Sequence, residues 1–331
     1  MTTLPRTGIA LPEYESWTAT EQVEFAVEAV DAGFESVWCG DGWGYSSVPL
    51  LARVADRTDC VLGTLAANVF ARSPGSLAMD AATLHEATDG QFVLGVGTST
   101  PNIVEGFHGA AFERPLRRLR ETIEIVELAL SGERVNYDGE IFSVEGFRMH
   151  LPQGPASVPV FNAALGPTNV ALSVEHADGL ITHMLPLAAL DDAVAEGEAR
   201  AGETADLHRM PSVITSVHED PTVARSTLAA HVAAYVGPAD PYNDVVARHG
   251  YSEAAAAIRE AWERGGREAA AEAVPQSLLE AVGVVGTPAE VREQYRALAD
   301  GPADTVLTSF PQGATEEMIR LALEAIPVGE Y

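Results

Sequence analysis

The chain contains no lysine: all 20 of its basic residues are arginine, set against 48 acidic ones in 331 residues. Without lysine there is no Schiff-base nucleophile and no phosphate-cradling loop of the G-x-x-x-x-G-K-S/T kind. A formal charge of −28, spread along the sequence and not gathered in a tail, opposes binding to nucleic acid or to an anionic membrane surface. It reads as a solvated acidic surface of the kind salt-loving organisms use, its self-repulsion screened by salt. The two cysteines, Cys39 and Cys60, are too few for a disulfide framework or a thiolate metal site, and both lie in apolar surroundings that suit core residues. The nine histidines form no HExxH or HxH, so no metal is expected and they read as surface or packing residues. No G-x-S-x-G elbow occurs. Long apolar runs are missing too: no 18-residue segment suits a membrane span, and MTTLPRTG has no basic region followed by an apolar stretch. A cytoplasmic protein is expected.

What is present is 47% apolar residues, enough for one large core. Short apolar runs alternate with amphipathic stretches, the signature of repeated βα units around a parallel sheet. The strand candidates are TGIALP, SVWCGD, VLGTLAANV, FVLGVGT, VPVFNAAL, GLITHML, PSVITSV and TVLTSF, and eight is the number that closes a barrel. Helix patterns such as TEQVEFAVEAVDAG and PLRRLRETIEIVELALSG lie between them. The expected architecture is a single-domain α/β (β/α)8 TIM barrel over 1–331, with a doubly wound open sheet as the alternative. Two insertions are expected. Residues 133–152, with an Asp-Gly turn between extended segments, look like a hairpin after the fourth helix. Residues 235–285, alanine-rich and helical, fall near the seventh unit, where an insertion covers the barrel mouth.

A barrel places its working residues just after each strand. Strand ends supply Asp41, Leu65 to Asn68, Thr98 with Ser99, Asn162 to Gly166, His183 and Ser309. The segment QFVLGVGTSTPNIVEGFHG at 91–109 is no dinucleotide fingerprint, because the third glycine is replaced by Thr100, Pro101 follows, and the next clear helical pattern begins only near Pro115. In NAALGPTN, Gly166 and Pro167 open a helix whose first amides suit an anion; an ordinary tight turn is the alternative. Asp41, with Trp43 beside it, is expected to contact a ligand and not to cap the helix SSVPLLARVAD, since Ser46 and Ser47 serve that purpose. Glu105 and His108 offer an acid or base, or else a solvated carboxylate and a histidine packed on Phe107. Glu13 is a weaker candidate of the same kind. Spacing alone stops at an enzyme with an anionic ligand.

Six blocks, AGFESVWCGD, VLGTLAANVFARSPGSLAMDAATL, FVLGVGTSTPNIVEGFHG, PLRRLRETIEIVELALSGERVNYDGEIF, VPVFNAALGPTNVALSVEHADGLI and VGTPAEVREQYRAL, together resemble the bacterial luciferase-like family, in its branch using coenzyme F420. The resemblance runs in order across nearly the whole chain. It implies a (β/α)8 barrel, a deazaflavin at the strand C-termini, and a non-proline cis peptide after the third strand, here Leu65–Ala66. It also implies that Asp41 lies near the deazaflavin head, that Ala163, Ala164, Gly166 and Pro167 run along the cofactor, and that Gly97, Thr98 and Ser99 line its channel beside Asn68. Asp41 and Glu105 are the candidate catalytic residues.

Sugar-phosphate dehydrogenases of this family carry a histidine after the second-strand aspartate and a glutamate in the fourth-strand loop; Gly42 and Thr100 stand there, which speaks against that substrate. Methylene-tetrahydromethanopterin reductases carry a glutamate in the first strand, where this chain has Ala10; a methylene-tetrahydropterin or folate substrate then needs Glu13 or Glu105 instead. The acidic, lysine-free composition points to a haloarchaeal source and, by lineage, to F420 over FMN. An FMN-dependent monooxygenase and a catalytically silent cofactor-binding paralogue are the alternatives. A homodimer paired through the first helices, with SPGSLAMDAATL as the close-packing surface, completes the expectations.

Overall fold

Wherever the sequence shows a short apolar run ending in a turn, the chain makes a buried strand and then a helix. The computed structural model describes residues 4–12, 17–42 and 44–329, so the expectations for Glu13 and Trp43 lie outside the described residues. The eight strands are β1 (Thr7–Ala10), β2 (Ser36–Cys39), β3 (Val61–Thr64), β4 (Phe92–Gly97), β5 (Val160–Ala163), β6 (Gly179–His183), β7 (His208–Val217) and β8 (Val306–Ser309). They pair in parallel in chain order, and β8 returns to β1 through Thr7↔Val306, which closes a TIM barrel. The helices after them are α1 (Ala19–Asp31), α2 (Ser47–Ala55), α3 (Pro74–Ala87), α4 (Pro115–Leu130), α5 (Pro167–His176), α6 (Leu190–Ala201), α7 (Pro221–Val236) and α8 (Glu316–Ala325). Their starts follow local chemistry: Thr18 and Glu21 make a reciprocal capping box on α1, and Ser73 with Pro74 opens α3. No helix among the described residues is long and apolar enough to cross a membrane.

Alternation along the strands sends every second side chain into the lumen. Trp38 and Phe161 stack there, with centroids 6.1 Å apart and planes at 27°. Two rings of this size fit because glycine faces them. A β-carbon at Gly63 would lie 2.3 Å from the Trp38 ring, and one at Gly179 would lie 2.6 Å from Phe161. Outside the barrel the apolar side chains form two clusters, one chiefly under α1 to α4, α8 and residues 288–298, the other under α5 to α7 and residues 240–282.

Between α4 and β5 an antiparallel pair, Val135–Asp138 with Ser143–Phe147, occupies the segment read as a hairpin. Its turn is held from below: Glu121, 1% exposed, accepts from the backbone N–H groups of Glu140, Ile141 and Phe142 at 2.8–2.9 Å. Burial works against the Glu121 carboxylate, and those three bonds outweigh it and keep its pKa low. Between α7 and β8 lie helices Asp240–Val246, Ser252–Glu272, Gln276–Val282 and Pro288–Leu298. A ninth parallel strand, Gly283–Gly286, runs among them and pairs with the far half of β7 from Ile214 to Val217. It was not among the expected strands, because GVVG is four residues bounded by glycine. β7 also begins earlier than PSVITSV suggested, at His208.

Candidate active site

The pairing of β3 with β4 slips by one residue at the mouth. Gly63 pairs with Val93, yet Ala67 pairs with Val96 and Asn68 with Gly97, so four steps on one side oppose three on the other, the geometry of a bulge. The extra residue falls at Leu65–Ala66, which is joined by a cis peptide bond, as the resemblance implied. There Ala66, Gly97 and Ala163 converge: a β-carbon on Gly97 would lie 3.4 Å from that of Ala66 and 3.3 Å from that of Ala163. Next to them Asn68 is buried, its Oδ1 accepting from Phe70 N–H at 2.9 Å, while its Nδ2 has no partner among the described residues. Thr98 and Ser99 follow Gly97, half-buried, with Ser99 in the left-handed region at φ +57°. Three residues beyond Ala163, Gly166 opens α5 with no side-chain cap, Pro167 stands in the first turn, and a β-carbon on Gly166 would meet nothing within 4 Å.

Asp41, just past the end of β2, is held by protein partners on two sides. Its Oδ1 accepts from the backbone N–H of Ser47 at 3.2 Å and from Ser47 Oγ at 2.8 Å, while Ser46 makes no side-chain cap bond. Asp41 therefore caps α2, the role assigned in the sequence to Ser46 and Ser47. Arg72 also grips both its oxygens, at 3.0 and 3.3 Å, and reaches Asp80 at 3.0 Å and Ser46 Oγ at 3.0 Å. Burial pushes the Asp41 carboxyl up, but the bonds from Arg72 and Ser47 together with the arginine charge win and hold it below the usual range. A carboxylate so engaged serves the mouth as an anchor.

Other strand-end residues separate into those the fold brings to the mouth and those it does not. Asn162 faces outward and donates to Asn169 and Ser173 of α5, because Phe161 takes the lumen side. Ala164 is buried, its N–H bonded to Ile181. Thr100 is followed directly by a short helix, Pro101–Gly106, which corrects the expectation that no helix forms before Pro115. Glu105 on that helix is exposed and accepts from Phe112 N–H at 3.2 Å; His108 tilts against Phe107 with ring centroids 4.9 Å apart. Cys39 and Cys60 are buried and form no disulfide.

Sequence reasoning missed an aromatic group above β6 to β8. His183 lies 5.1 Å from Tyr235 and 6.0 Å from Tyr242, and His231 lies 4.8 Å from Tyr235, centroid to centroid. His231 and Tyr235, four apart on α7, share a helix face, and that spacing was the one available signal. Burial pushes the His183 imidazole down to about 4 and, with the charges of His183 and Arg267 adding to it, moves His231 well below its ordinary value. An unfolded histidine therefore takes up a proton at a higher pH than the folded one. The stability that this burial carries is fully present above about pH 6.5 and is lost as pH falls toward 4, with His183 accounting for roughly 2 to 3 kcal/mol by pH 4.5. Urea unfolding at pH 7 and 4.5 is expected to show a larger loss in the native chain than in His183→Asn, where the contribution of His231 remains; equal losses in both refute it.

Comparison with known proteins agrees with this architecture. Residues 2–305 match the family model described as luciferase-like monooxygenase. A 5,10-methylenetetrahydromethanopterin reductase of Archaeoglobus fulgidus is 30% identical over 304 residues, covering 88% of this chain and 90% of that protein. A putative coenzyme F420-dependent oxidoreductase of Mycobacterium tuberculosis is 30% identical over 340 residues, covering 95% and 97%. Among solved structures, the coenzyme F420 dependent tetrahydromethanopterin reductase from Methanopyrus kandleri superposes with a TM-score of 0.80 at 24% identity over 98% of both chains. With a barrel of this topology and a family match over most of its length, the chain belongs to the luciferase-like monooxygenase family.

Proposed function

We propose that the protein is an F420-dependent oxidoreductase acting on a small organic substrate, in common with the relatives named above. The observation that carries this is the cluster of small residues, Ala66, Gly97 and Ala163, that meet at the strand C-termini beside the buried Asn68 amide. Small residues there suit a flat ring: Gly97 presents no side chain to it, and Asn68 Nδ2 is a buried donor without a partner among the described residues. Leu65, Ala66, Gly97 and Ala163 would pack the ring, Asn68 would donate to it, Thr98 and Ser99 would line its channel, and the uncapped first turn of α5 after Gly166 would receive its phosphate. When bound, F420 supplies hydride transfer at C5 of the deazaflavin and does not sustain oxygen activation. The protein's part is to hold that cluster rigid, through the Asp41–Arg72 anchor behind it, and to keep water out. A methylene-tetrahydropterin or folate is the first substrate to try, because a relative of that activity matches over 88% of this chain.

Titration of the purified protein with F420 and with FMN tests the proposal. F420 is expected to bind at least about tenfold more tightly, and Gly97→Leu, which drives a side chain between Ala66 and Ala163, is expected to weaken it by about as much again. Tight FMN binding without F420 binding overturns the choice in favour of a flavin monooxygenase. F420 binding with no reduction of enones, imines or methylene-pterins points to a silent cofactor-binding paralogue. We also propose a homodimer paired through α3, on which Met79 is 57% exposed. A monomer mass by sedimentation at high salt refutes that pairing.

A further inference from the structure

Two histidines at the mouth disclose their tautomers through the bonds they make. His231 Nδ1 accepts from the backbone N–H of Gln312 at 2.8 Å, so that nitrogen carries no proton; in a neutral ring the proton then sits on Nε2. His183 is the reverse. Its Nδ1 lies 3.4 Å from Ser212 Oγ, and that hydroxyl gives its own proton to Ser309 Oγ at 2.9 Å. Ser212 is left as the acceptor, which makes Nδ1 the protonated nitrogen of His183 and Nε2 the bare one. Neither Nε2 has a partner among the described residues, and both atoms are shut off from water. One orphaned donor and one orphaned acceptor therefore stand on rings whose centroids are 5.8 Å apart.

Buried polar groups in native proteins are rarely left without a partner. The residues around this pair are aromatic: Tyr235 and Tyr242 meet edge to face at 4.8 Å, and both are half-buried. His231 is itself 3% exposed. The pair sits on β6 and α7, on the strand next to Ala163 and two residues beyond Ile181, with which Ala163 is paired.

We propose that His183 and His231 receive the edge of a lactam, a planar ring carrying an N–H beside a C=O. The carbonyl accepts from Nε2–H of His231, the ring N–H donates to Nε2 of His183, and Tyr235 and Tyr242 cover the ring. A carboxylate brings two acceptors and meets the lone pair of His183; an ammonium brings only donors and meets the proton of His231. Charged ends are thereby turned away. The lactam edge belongs either to the substrate or to the pyrimidinedione end of the deazaflavin, and only the choice between these two rests on the F420 proposal.

Nitrogen-15 labelling of the histidines tests the premise without any turnover: His231 is expected protonated at Nε2 and His183 at Nδ1, and the opposite tautomer in either overturns the proposal. The binding probe is 2-pyridone, expected to shift both imidazole signals and to bind at least about tenfold more tightly than 1-methyl-2-pyridone or benzoate; equal affinities overturn it. His231→Phe is expected to abolish the preference, and His183→Leu does the same should the first variant fail to fold. Persistence of 2-pyridone binding under saturating F420 assigns the edge to the substrate, and exclusion assigns it to the cofactor. Failure of F420 to bind at all removes the functional proposal, while the tautomers and the pyridone preference still decide the subsite.

Discussion

Arg72→Met is expected to cost about 3 kcal/mol of stability, since removing one partner of a buried ion pair strands the other charge. Here two charges are stranded. The side chains of Arg72, Asp41 and Asp80 keep 19%, 11% and 24% of their exposure, which puts the loss at the lower end of the range for buried pairs. Asp80 already sits above its usual value, pushed up by burial more than Arg72 lowers it. Without the guanidinium both carboxylates face a poorly solvated space, and Ser46 loses its bond from Arg72. Arg72→Met with Asp41→Asn is expected to be more stable than the single substitution, because one uncompensated charge has gone while the amide oxygen still accepts from Ser47. Urea midpoints at pH 7 for the three chains check this. A single variant as stable as the native chain would show the trio to be solvated like a surface pair.

Gly63→Ala is the second large effect. The added methyl would sit 2.3 Å from the Trp38 ring, and that ring cannot yield: its Nε1 donates to Ser36 Oγ at 2.9 Å on one side and its face stacks on Phe161 on the other. Overpacking of a filled core costs about 3 kcal/mol where neighbours are fixed. Gly166→Ala, with open space around it and φ at −90°, is expected to leave stability within about 0.5 kcal/mol of the native value. Thermal unfolding of the two variants, side by side, separates a lumen filled to capacity from one with slack; equal midpoints refute the filled lumen.

The barrel was legible because its signal is local. Each strand is a buried run bounded by turn residues, and each helix announces its start, as Thr18 and Ser73 do. The ninth strand was not, because Gly283–Gly286 is specified by the open flank of β7 and not by its own residues. At the mouth, small residues such as Gly97 and Ala163 were found through a resemblance of whole blocks, since spacing alone does not distinguish a ligand slot from a tight turn. For Asp41 the sequence does not reveal that Arg72, 31 positions on, is its partner. The His183, His231, Tyr235 and Tyr242 group is built across three elements, and residues that meet only through folding leave little trace in linear order.

The two outer clusters bear on how such a protein changes over generations. Leu62, Leu94 and Val96, on the strands that lead to Ala66 and Gly97, belong to one of them together with Val69, and Leu180, Leu228, Val232 and Val246, on the elements that carry His183, His231 and Tyr242, belong to the other. Substitutions separated in this way are nearly additive. A lineage can therefore recast the segment from Pro221 to Val282, trading one set of ring contacts for another, while the opposite wall is inherited unaltered. The ninth strand clips that exchangeable segment back onto β7, so novelty on one side of the mouth need not be negotiated with the other.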